Sequence, residues 1–311
     1  MGLLEAEKEI AELEITLSKL EKESQNEKLK VNLKEQIAAK RKELYLNLEP
    51  EDKVYLARHP LRPNAKFYIE ELFNDTIELH GDRLFGDDGS VMGFLAVFED
   101  IPVTVIAQVK GKTLEENIKR NFGMPHPEGY RKALRLAKQA EKFERPIITF
   151  IDTPGAYPGL GAEERGQASA IAQCLMQFMS ISTPVIAIVI GEGGSGGALA
   201  LSCADHIIML EHSTYSILSP EGFASILWKD SSRANEAAKL MKLTAQDLHK
   251  FKIIDTIVKE PIGGIHTETG FVSAKLKTVL KKELSKLMAQ KKNMLLQNRY
   301  KKFRAMGEEY A

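Results

Sequence analysis

Two short apolar runs, each followed at once by a glycine-rich loop and then a helical segment, constrain this chain more than any other feature. The first run covers residues 146–151 and leads into the loop 152–161. The second covers residues 184–190 and leads into the loop 191–197. Unbroken apolar runs of this length are typical of strands buried on both faces, and strands that alternate with helices form parallel sheets. The sequence therefore predicts an α/β fold around a parallel sheet.

Further elements on both sides of these runs agree with that fold. Residues 91–98 and 103–109 are β-rich and are separated by a short polar link that ends in Pro102, which predicts a β-hairpin. The remaining predicted elements are helices over 129–143, 163–179 and 198–204 and a strand over 207–210.

Both ends of the chain are predicted to be helical. In residues 3–46, apolar positions recur with the spacing of a helical seam, and Ser24-Gln25-Asn26 interrupts them. This pattern predicts a helical hairpin, an assembly segment within residues 1–60. Prolines near residue 60 mark the boundary to a second domain, residues 61–311, which ends in amphipathic helices from about residue 271.

The charge balance and the cysteine count exclude several classes of protein. There are 43 basic and 43 acidic side chains, so nucleic acid and anionic membranes are not expected partners. Cys174 and Cys203 are too few for a disulfide framework or a four-thiolate zinc site. The N-terminus lacks the signal-peptide pattern, and no apolar segment approaches the roughly 20 residues that span a bilayer. We expect a cytoplasmic protein.

The second glycine loop matches a nucleotide-binding pattern. Counted from Gly191 it reads G-x-G-x-x-G, and Glu211 stands where a ribose-binding carboxylate would. The helix that follows is short for a dinucleotide-binding unit. Residues 111–113 imitate the phosphate loop of a GTPase and residues 152–155 its metal-side motif, but Ile106 occupies the position where the phosphate loop needs a glycine.

The same loop also matches the pattern of a hydrolase. Counted from Gly193 it reads G-x-S-x-G, which would make Ser195 a nucleophile. Asp230 or Asp255, followed by His266, would complete the triad in the chain order of α/β-hydrolases.

A third interpretation uses the backbone instead of a side chain. Consecutive glycines between a strand and a helix let a ligand approach the unpaired N–H groups of the helix start. If the loops 152–161 and 191–198 follow neighbouring strands, their N–H groups can converge on one developing oxyanion, each contributing about 3 kcal/mol in the transition state. The alternative is that the glycines only allow close packing of helix on strand.

Several segments together carry a resemblance to a known family. They are N-F-G-M-P-H-P-E-G-Y-R-K-A at 121–133, the loop 152–161 with E-E-R-G-Q at 163–167, the segment 190–200, S-T-Y-S at 213–216, S-P-E-G at 219–222 and E-P-I-G-G-I-H at 260–266. These closely resemble the α subunits of bacterial acetyl-CoA carboxylase carboxyltransferase, and the resemblance runs through nearly the whole chain.

The resemblance implies a fold and a set of site residues. The fold is crotonase-like (the ClpP/crotonase type), built of stacked ββα units, with an N-terminal helical hairpin and C-terminal helices. Residues 61–311 would then form the carboxyltransferase domain. The backbone N–H groups of Gly196, Gly197 and Ala198 would form the oxyanion hole for carboxybiotin, and the substrate-binding residues would be Gly155, Ala156, Gly193 and Gly194. No side chain of this chain need act as the base.

The resemblance also implies a reaction and partners. The carboxyl group of carboxybiotin, borne by the biotin carboxyl carrier protein, would pass to acetyl-CoA and give malonyl-CoA for fatty acid biosynthesis. A β subunit with its own zinc site would complete an α2β2 heterotetramer, and biotin carboxylase would join the larger complex. No metal is expected in this chain. No covalently attached biotin is expected either, because Met241-Lys242 lies in a predicted helix.

Two alternatives remain open, a serine hydrolase that uses Ser195 and a non-catalytic scaffold with the same fold. A further question concerns Arg131, Lys132 and Arg135 on the helix 129–143. They form either a solvated basic face or a contact for carrier protein or the phosphates of CoA.

Overall fold

The computed structural model describes residues 3–21 and 26–308, and its strands form one mixed sheet. The strands are β1 (Asn74–Glu78), β2 (Val91–Phe98), β3 (Ile101–Gln108), β4 (Ile147–Thr153), β5 (Val185–Gly194), β6 (His206–Leu210), β7 (Thr214–Ser216) and β8 (Thr256–Val258). Their order is β1-β2-β3-β4-β5-β6-β8, and β7 pairs with the far end of β5. Pairs β1–β2 and β2–β3 are antiparallel, whereas all pairs from β3 onward are parallel.

Helices precede the sheet, connect its strands and follow it. In chain order they are α1 (Leu3–Glu21), α2 (Glu27–Leu46), α3 (Pro50–Ala57), α4 (Ala65–Leu72), α5 (Leu114–Lys119), α6 (Pro127–Lys142), α7 (Leu160–Glu164), α8 (Gln167–Ser180), α9 (Ser195–Ser202), α10 (Pro220–Trp228), α11 (Ala234–Met241), α12 (Ala245–Lys250), α13 (Thr269–Met288) and α14 (Lys292–Ala305). Within the described ranges, no helix is both long and apolar enough to cross a membrane.

Both faces of the sheet are covered, as the unbroken apolar runs predict. Ile148, Phe150 and Ile186 pack with residues of α4 and α13 on one face. Ile147 and Ile151 pack with residues of α6, α8 and α9 on the other. Because successive side chains of a strand point to opposite faces, a strand covered on both sides favours apolar residues at consecutive positions.

The predicted helical hairpin is present at the N-terminal end. Ion pairs join α1 to α2 in antiparallel register, from Glu9 with Lys40 to Glu21 with Lys34. The main chain of Leu3 donates a hydrogen bond to Asp52 at the start of α3, which ties the hairpin to the rest of the chain. Residues Ser24 and Gln25 of the predicted interruption lie outside the described residues.

The structure corrects the predicted bounds of two elements beside the glycine loops. Residues 192–194 pair with β7, so strand β5 continues to Gly194. Helix α9 follows at once and begins at Ser195 rather than at residue 198. The helix predicted over 163–179 is divided into α7 and α8, and Gly166 at the break has a φ of 81°. The β-hairpin 91–109 is confirmed, with a turn at Glu99-Asp100.

Candidate active site

The carboxyl ends of β4 and β5 bring the two predicted loops together. The strands are parallel neighbours, with Thr153 opposite Gly193, so both chains leave the sheet at the same edge. The segment 154–159 follows β4, and helix α9 follows β5. Open α/β sheets bind ligands at this edge. Because the two loops follow neighbouring strands, their N–H groups can converge on one ligand.

The two loops touch backbone to backbone. A Cβ on Gly194 would lie 2.1 Å from the carbonyl oxygen of Pro154, and a Cβ on Gly197 would lie 2.6 Å from the nitrogen of Ala156. Since Cβ atoms do not approach other atoms so closely, only glycine allows this contact. Gly194 and Gly197 therefore do allow close packing, and this packing fixes one loop against the other.

Helix α9 starts directly at this contact and points its amino end toward it. Gly194 is the N-cap residue, and Ser195 has a φ of 56°. Helix geometry leaves the first four N–H groups, those of residues 194–197, without a carbonyl partner inside the helix. Ala198 is the first residue whose N–H can pair with a helix carbonyl, that of Gly194. The helix dipole makes the start of α9 favourable for an anion.

The structure places all the predicted site residues in these two adjoining segments. Gly155 has a φ of 149° and has no atom within 4 Å of the position of a Cβ. Its N–H donates to the hydroxyl of Thr153, 3.1 Å away, which holds the turn. Gly193 lies under the ring of Tyr215. The predicted residues are thus Gly155 and Ala156 in one segment and Gly193, Gly194, Gly196, Gly197 and Ala198 in the other.

A largely apolar pocket of about 500 Å³ opens beside the first turn of α9. Ser195 and Gly196 contribute its edge next to the glycine segment. Its other walls come from Leu199, Tyr215, Ser216, Ile217, Phe223, Met241, Leu248 and Ile253. The arrangement offers an anion-binding helix end next to space for an apolar ring or chain.

Sequence reasoning missed a network of charged side chains beneath the glycine segment. The Lys110 ammonium lies 2.9 Å from Asp152 and 2.7 Å from Glu192. The Arg58 guanidinium lies 2.6 Å from Glu192 on one side and 2.6 Å from Glu221 on the other. The one sign of this network in the sequence is Glu192, which lies among glycines. The dinucleotide pattern accepts any residue at that position, so it drew no attention to the glutamate.

The pKa values in this network follow from its charge pairs. Burial favours the neutral form of Lys110, but the carboxylates of Asp152 and Glu192 outweigh it and raise the Lys110 pKa. Burial likewise acts against the charge of Glu192, yet Lys110 and Arg58 hold its pKa below the ordinary value. Both groups are therefore charged at neutral pH and stabilise each other.

The described hydrogen bonds do not connect Ser195 to a base. Ser195 is exposed, and the carboxylate of Asp255 is engaged by Lys302. Asp230 accepts hydrogen bonds within its own turn, and His266 stacks on another histidine. The order of these residues in the chain agrees with a hydrolase, but the fold commits each of them to other contacts.

The basic side chains of α6 are paired inside the chain. Arg131 lies 2.7 Å from the carboxylate of Asp82, and Lys132, which is 1% exposed, lies 2.5 Å from Asp87. Arg135 donates to two backbone carbonyls. The interpretation as a solvated basic face is wrong for Arg131 and Lys132, and their charges are not free to form a phosphate-binding face.

The residues that the dinucleotide pattern would use are engaged in other contacts. The Glu211 carboxylate, the candidate ribose ligand, accepts hydrogen bonds from Lys259 and from the main chain of residue 260. Burial raises the pKa of Cys174 to about 12 and that of Cys203 to about 11, so both remain thiols. In residues 3–21 and 26–308, no three His, Cys, Asp or Glu side chains are grouped so as to hold a metal.

Comparison with solved structures identifies the fold. A transcarboxylase 12S structure superposes with a TM-score of 0.57 at 16% identity, over 70% of this chain and 41% of that one. A Pseudomonas malonate decarboxylase hetero-tetramer in complex with coenzyme A also gives 0.57, at 17% identity, over 69% of this chain and 86% of that one. The chain shares the fold of these two proteins, which confirms the crotonase-like α/β fold that the resemblance implies.

Sequence comparisons then identify the family. The model of the family described as acetyl co-enzyme A carboxylase carboxyltransferase-like matches residues 3–307. The acetyl-coenzyme A carboxylase carboxyl transferase subunit alpha of Clostridium botulinum (strain Eklund 17B) is 62% identical over 262 residues, 83% of this chain and 94% of the relative. That of Alkaliphilus oremlandii is 53% identical over 311 residues, 98% of each chain. The chain belongs to this family of alpha subunits, and its activity is biotin-dependent carboxyl transfer to acetyl-CoA.

Proposed function

We propose that the first turn of α9 and the loop after β4 hold the ureido oxygen of carboxybiotin through backbone N–H groups. The proposed donors are Gly196, Gly197 and Ala198, and the proposed substrate-binding residues are Gly155, Ala156, Gly193 and Gly194. The observation that carries this proposal is the backbone contact at Gly194 and Gly197, which holds an unpaired helix start against a second loop. Such fixed donors contribute about 3 kcal/mol each where negative charge develops in the transition state.

The donors are not equivalent under this proposal. The N–H groups of Gly196 and Gly197 have no carbonyl partner inside the helix, whereas that of Ala198 faces the carbonyl of Gly194. We therefore assign the main contribution to Gly196 and Gly197. Ala198 would act mainly through the positive end of the helix dipole.

The apolar pocket beside α9 supports the same substrate. Biotin joins a polar ureido group to a sulfur-containing ring and an alkyl chain, and the pocket joins polar N–H groups to apolar walls. Leu199 and Phe223 would contact the ring or chain while Gly196 holds the polar edge. The carrier protein would deliver the group, so covalently attached biotin is not required in this chain.

An alpha subunit has a beta subunit as its partner, and we propose that the two form an α2β2 complex in which this chain supplies the carboxybiotin half of the site. Exposed apolar side chains near the pocket support a covering partner: Ile217 is 76% exposed, and Ile226 and Leu227 on α10 are 63% and 58% exposed. The biotin carboxyl carrier protein and biotin carboxylase would join this complex, with malonyl-CoA as product and the zinc site in the beta subunit.

Carboxyl transfer from malonyl-CoA to free biocytin tests the proposal. The assay is run with this chain alone, with a cognate beta subunit alone and with the mixture. We expect transfer only in the mixture, because each chain holds half of the site. A mixture that forms a stable complex but transfers nothing would contradict the proposal.

The alternatives give different results in the same material. A serine hydrolase would react with a fluorophosphonate at Ser195 in the free chain, and Ser195→Ala would abolish that labelling. A scaffold would neither transfer nor label, but would lose assembly when residues 3–46 are removed. A carboxyltransferase would show no labelling and would keep transfer after Ser195→Ala.

A further inference from the structure

We propose that Glu192 is a positioning residue, which Lys110 and Arg58 hold so that the N–H groups of residues 193–197 keep their direction. The inference rests on the proposed function of that segment. Glu192 does not line the apolar pocket beside α9, and its role would be exerted through the backbone that follows it.

Glu192 lies among glycines at the end of β5. It is the one residue between Gly191 and Gly194 that carries a side chain, and glycines allow a backbone many conformations. The Glu192 N–H donates to the carboxylate of Asp152 at 3.1 Å. Pairing with β7 and β4 holds the backbone of the segment at its edges, and Glu192 is the residue of 191–194 at which a side chain can hold it as well.

The side chain of Glu192 is held from two sides. It is 13% exposed, and one of its carboxylate oxygens lies 2.7 Å from Lys110 while the other lies 2.6 Å from Arg58. Lys110 lies two residues after the end of β3, and Arg58 is the C-cap residue of α3. The carboxylate is thus clamped between two cations from different elements.

Arg58 connects this clamp to helix α10. Arg58 also binds Glu221 in the first turn of α10, with two contacts of 2.6 and 3.4 Å. The same helix supplies Phe223 to the pocket. A single chain of ion pairs therefore joins the glycine segment to a helix that forms the wall of the proposed biotin pocket.

Glu192→Gln in the full chain, assembled with a beta subunit, tests the inference. The amide keeps the size of the side chain but removes its charge. We expect kcat for transfer between malonyl-CoA and biocytin to fall between about 10-fold and 100-fold, with a much smaller change in KM, since displaced donors act on the transition state. Glu192→Asp keeps the charge and is expected to restore part of kcat.

Asp205→Asn is the matched control. Asp205 is also buried and paired with an arginine, Arg299, but it precedes β6 at the opposite end of the parallel strands. We expect this variant to lower the denaturation midpoint and, at temperatures where it is folded, to keep the kcat of the unaltered chain. A purely structural role of Glu192 would give the two variants the same behaviour.

Hydrogen exchange of the backbone amides provides a readout that does not depend on activity. We expect Glu192→Gln to speed exchange in residues 193–198 and Asp205→Asn to leave it unchanged. Unchanged kcat together with unchanged exchange in Glu192→Gln would overturn the inference. If the unaltered complex transfers nothing, the proposed function fails, while the exchange rates still decide whether Glu192 orders the segment.

Discussion

At the residue scale, the glycines at the start of α9 have different tasks. Gly194 and Gly197 have no room for a Cβ, because the loop after β4 lies against them. At Gly196 the nearest heavy atom to such a Cβ would be Ile171 Cγ2 at 3.6 Å, an ordinary contact. Proline is tolerated in the first turn of a helix, where its missing N–H has no helix partner. Gly196 is thus the position where an N–H can be removed with least effect on the loop contact.

The pair Gly196→Pro and Gly196→Ala tests whether that N–H is a donor. Both variants add side-chain atoms toward Ile171, but only proline removes the N–H. We expect the proline variant of the assembled enzyme to have a kcat about 100-fold below that of the alanine variant, the typical loss for one oxyanion donor. Circular dichroism and the denaturation midpoint check that both are folded. Equal activity of the two variants would exclude the Gly196 N–H.

At the element scale, a stacked histidine pair joins the segment after α3 to the loop after β8. The rings of His59 and His266 lie 4.0 Å apart and are inclined by 17°. Burial, the neighbouring His59 and Arg62 lower the pKa of His266 to about 4, and Glu260 opposes this only in part. The packing of these two elements therefore requires an uncharged His266.

This packing predicts a pH dependence of stability. The unfolded chain takes up the proton of His266 near its ordinary pKa of 6.5, and the folded chain only near 4. Between these values the unfolded state binds more protons, so the free energy of unfolding falls as the pH falls from about 6.5 to 4. His266→Asn should have a flatter profile in this window, measured by urea denaturation.

The exposed His249 provides the control for that experiment. His249→Asn removes an imidazole that is not packed against another ring, and we expect its pH profile to follow that of the unaltered chain. If His266→Asn also follows it, the stacked pair does not contribute to acid sensitivity.

At the scale of the whole molecule, α14 is fastened to the end of the sheet opposite to the site. Arg299 is 1% exposed and donates to both carboxylate oxygens of Asp205, at 2.8 and 2.6 Å. It also donates to the backbone carbonyls of Phe178, Ile181 and Thr183. One side chain thus connects the C-terminal helix, the end of α8 and the amino ends of two strands.

Arg299→Met is expected to lower the free energy of unfolding by about 3 to 5 kcal/mol, because it leaves Asp205 buried and unpaired. Arg299→Lys should recover only part of this loss, since an ammonium lacks the planar fork of donors. Denaturant titration measures both. Tyr300→Ala, at a neighbouring residue that is 61% exposed, should stay within about 0.5 kcal/mol of the unaltered chain. If Arg299→Met lowered the free energy of unfolding no more than Tyr300→Ala does, the contacts of Arg299 would not contribute to stability.

Much of the fold could be predicted because its signals are local. Apolar runs without alternation predicted the buried strands β4 and β5, and the helical seam predicted the α1–α2 hairpin. The two glycine loops placed the site residues at strand ends. The predicted loop 191–197 was wrong in its bounds: residues 192–194 pair with β7, a strand of three residues, and extend β5, while residues 195–197 form the first turn of α9. Pairing between segments twenty residues apart leaves no local pattern.

By itself, then, the sequence determined which segments are strands and helices, where glycines allow close approach, and to which family the chain is similar. Only the tertiary structure decided which charges meet. Lys110, Asp152, Glu192, Arg58 and Glu221 come from five separate elements or connections, and their pairing depends on the order of the strands. The same holds for Lys132, which the sequence presents as a surface lysine and the fold buries beside Asp87. A side chain's charge is a local property, but its burial and its partner depend on which elements pack together.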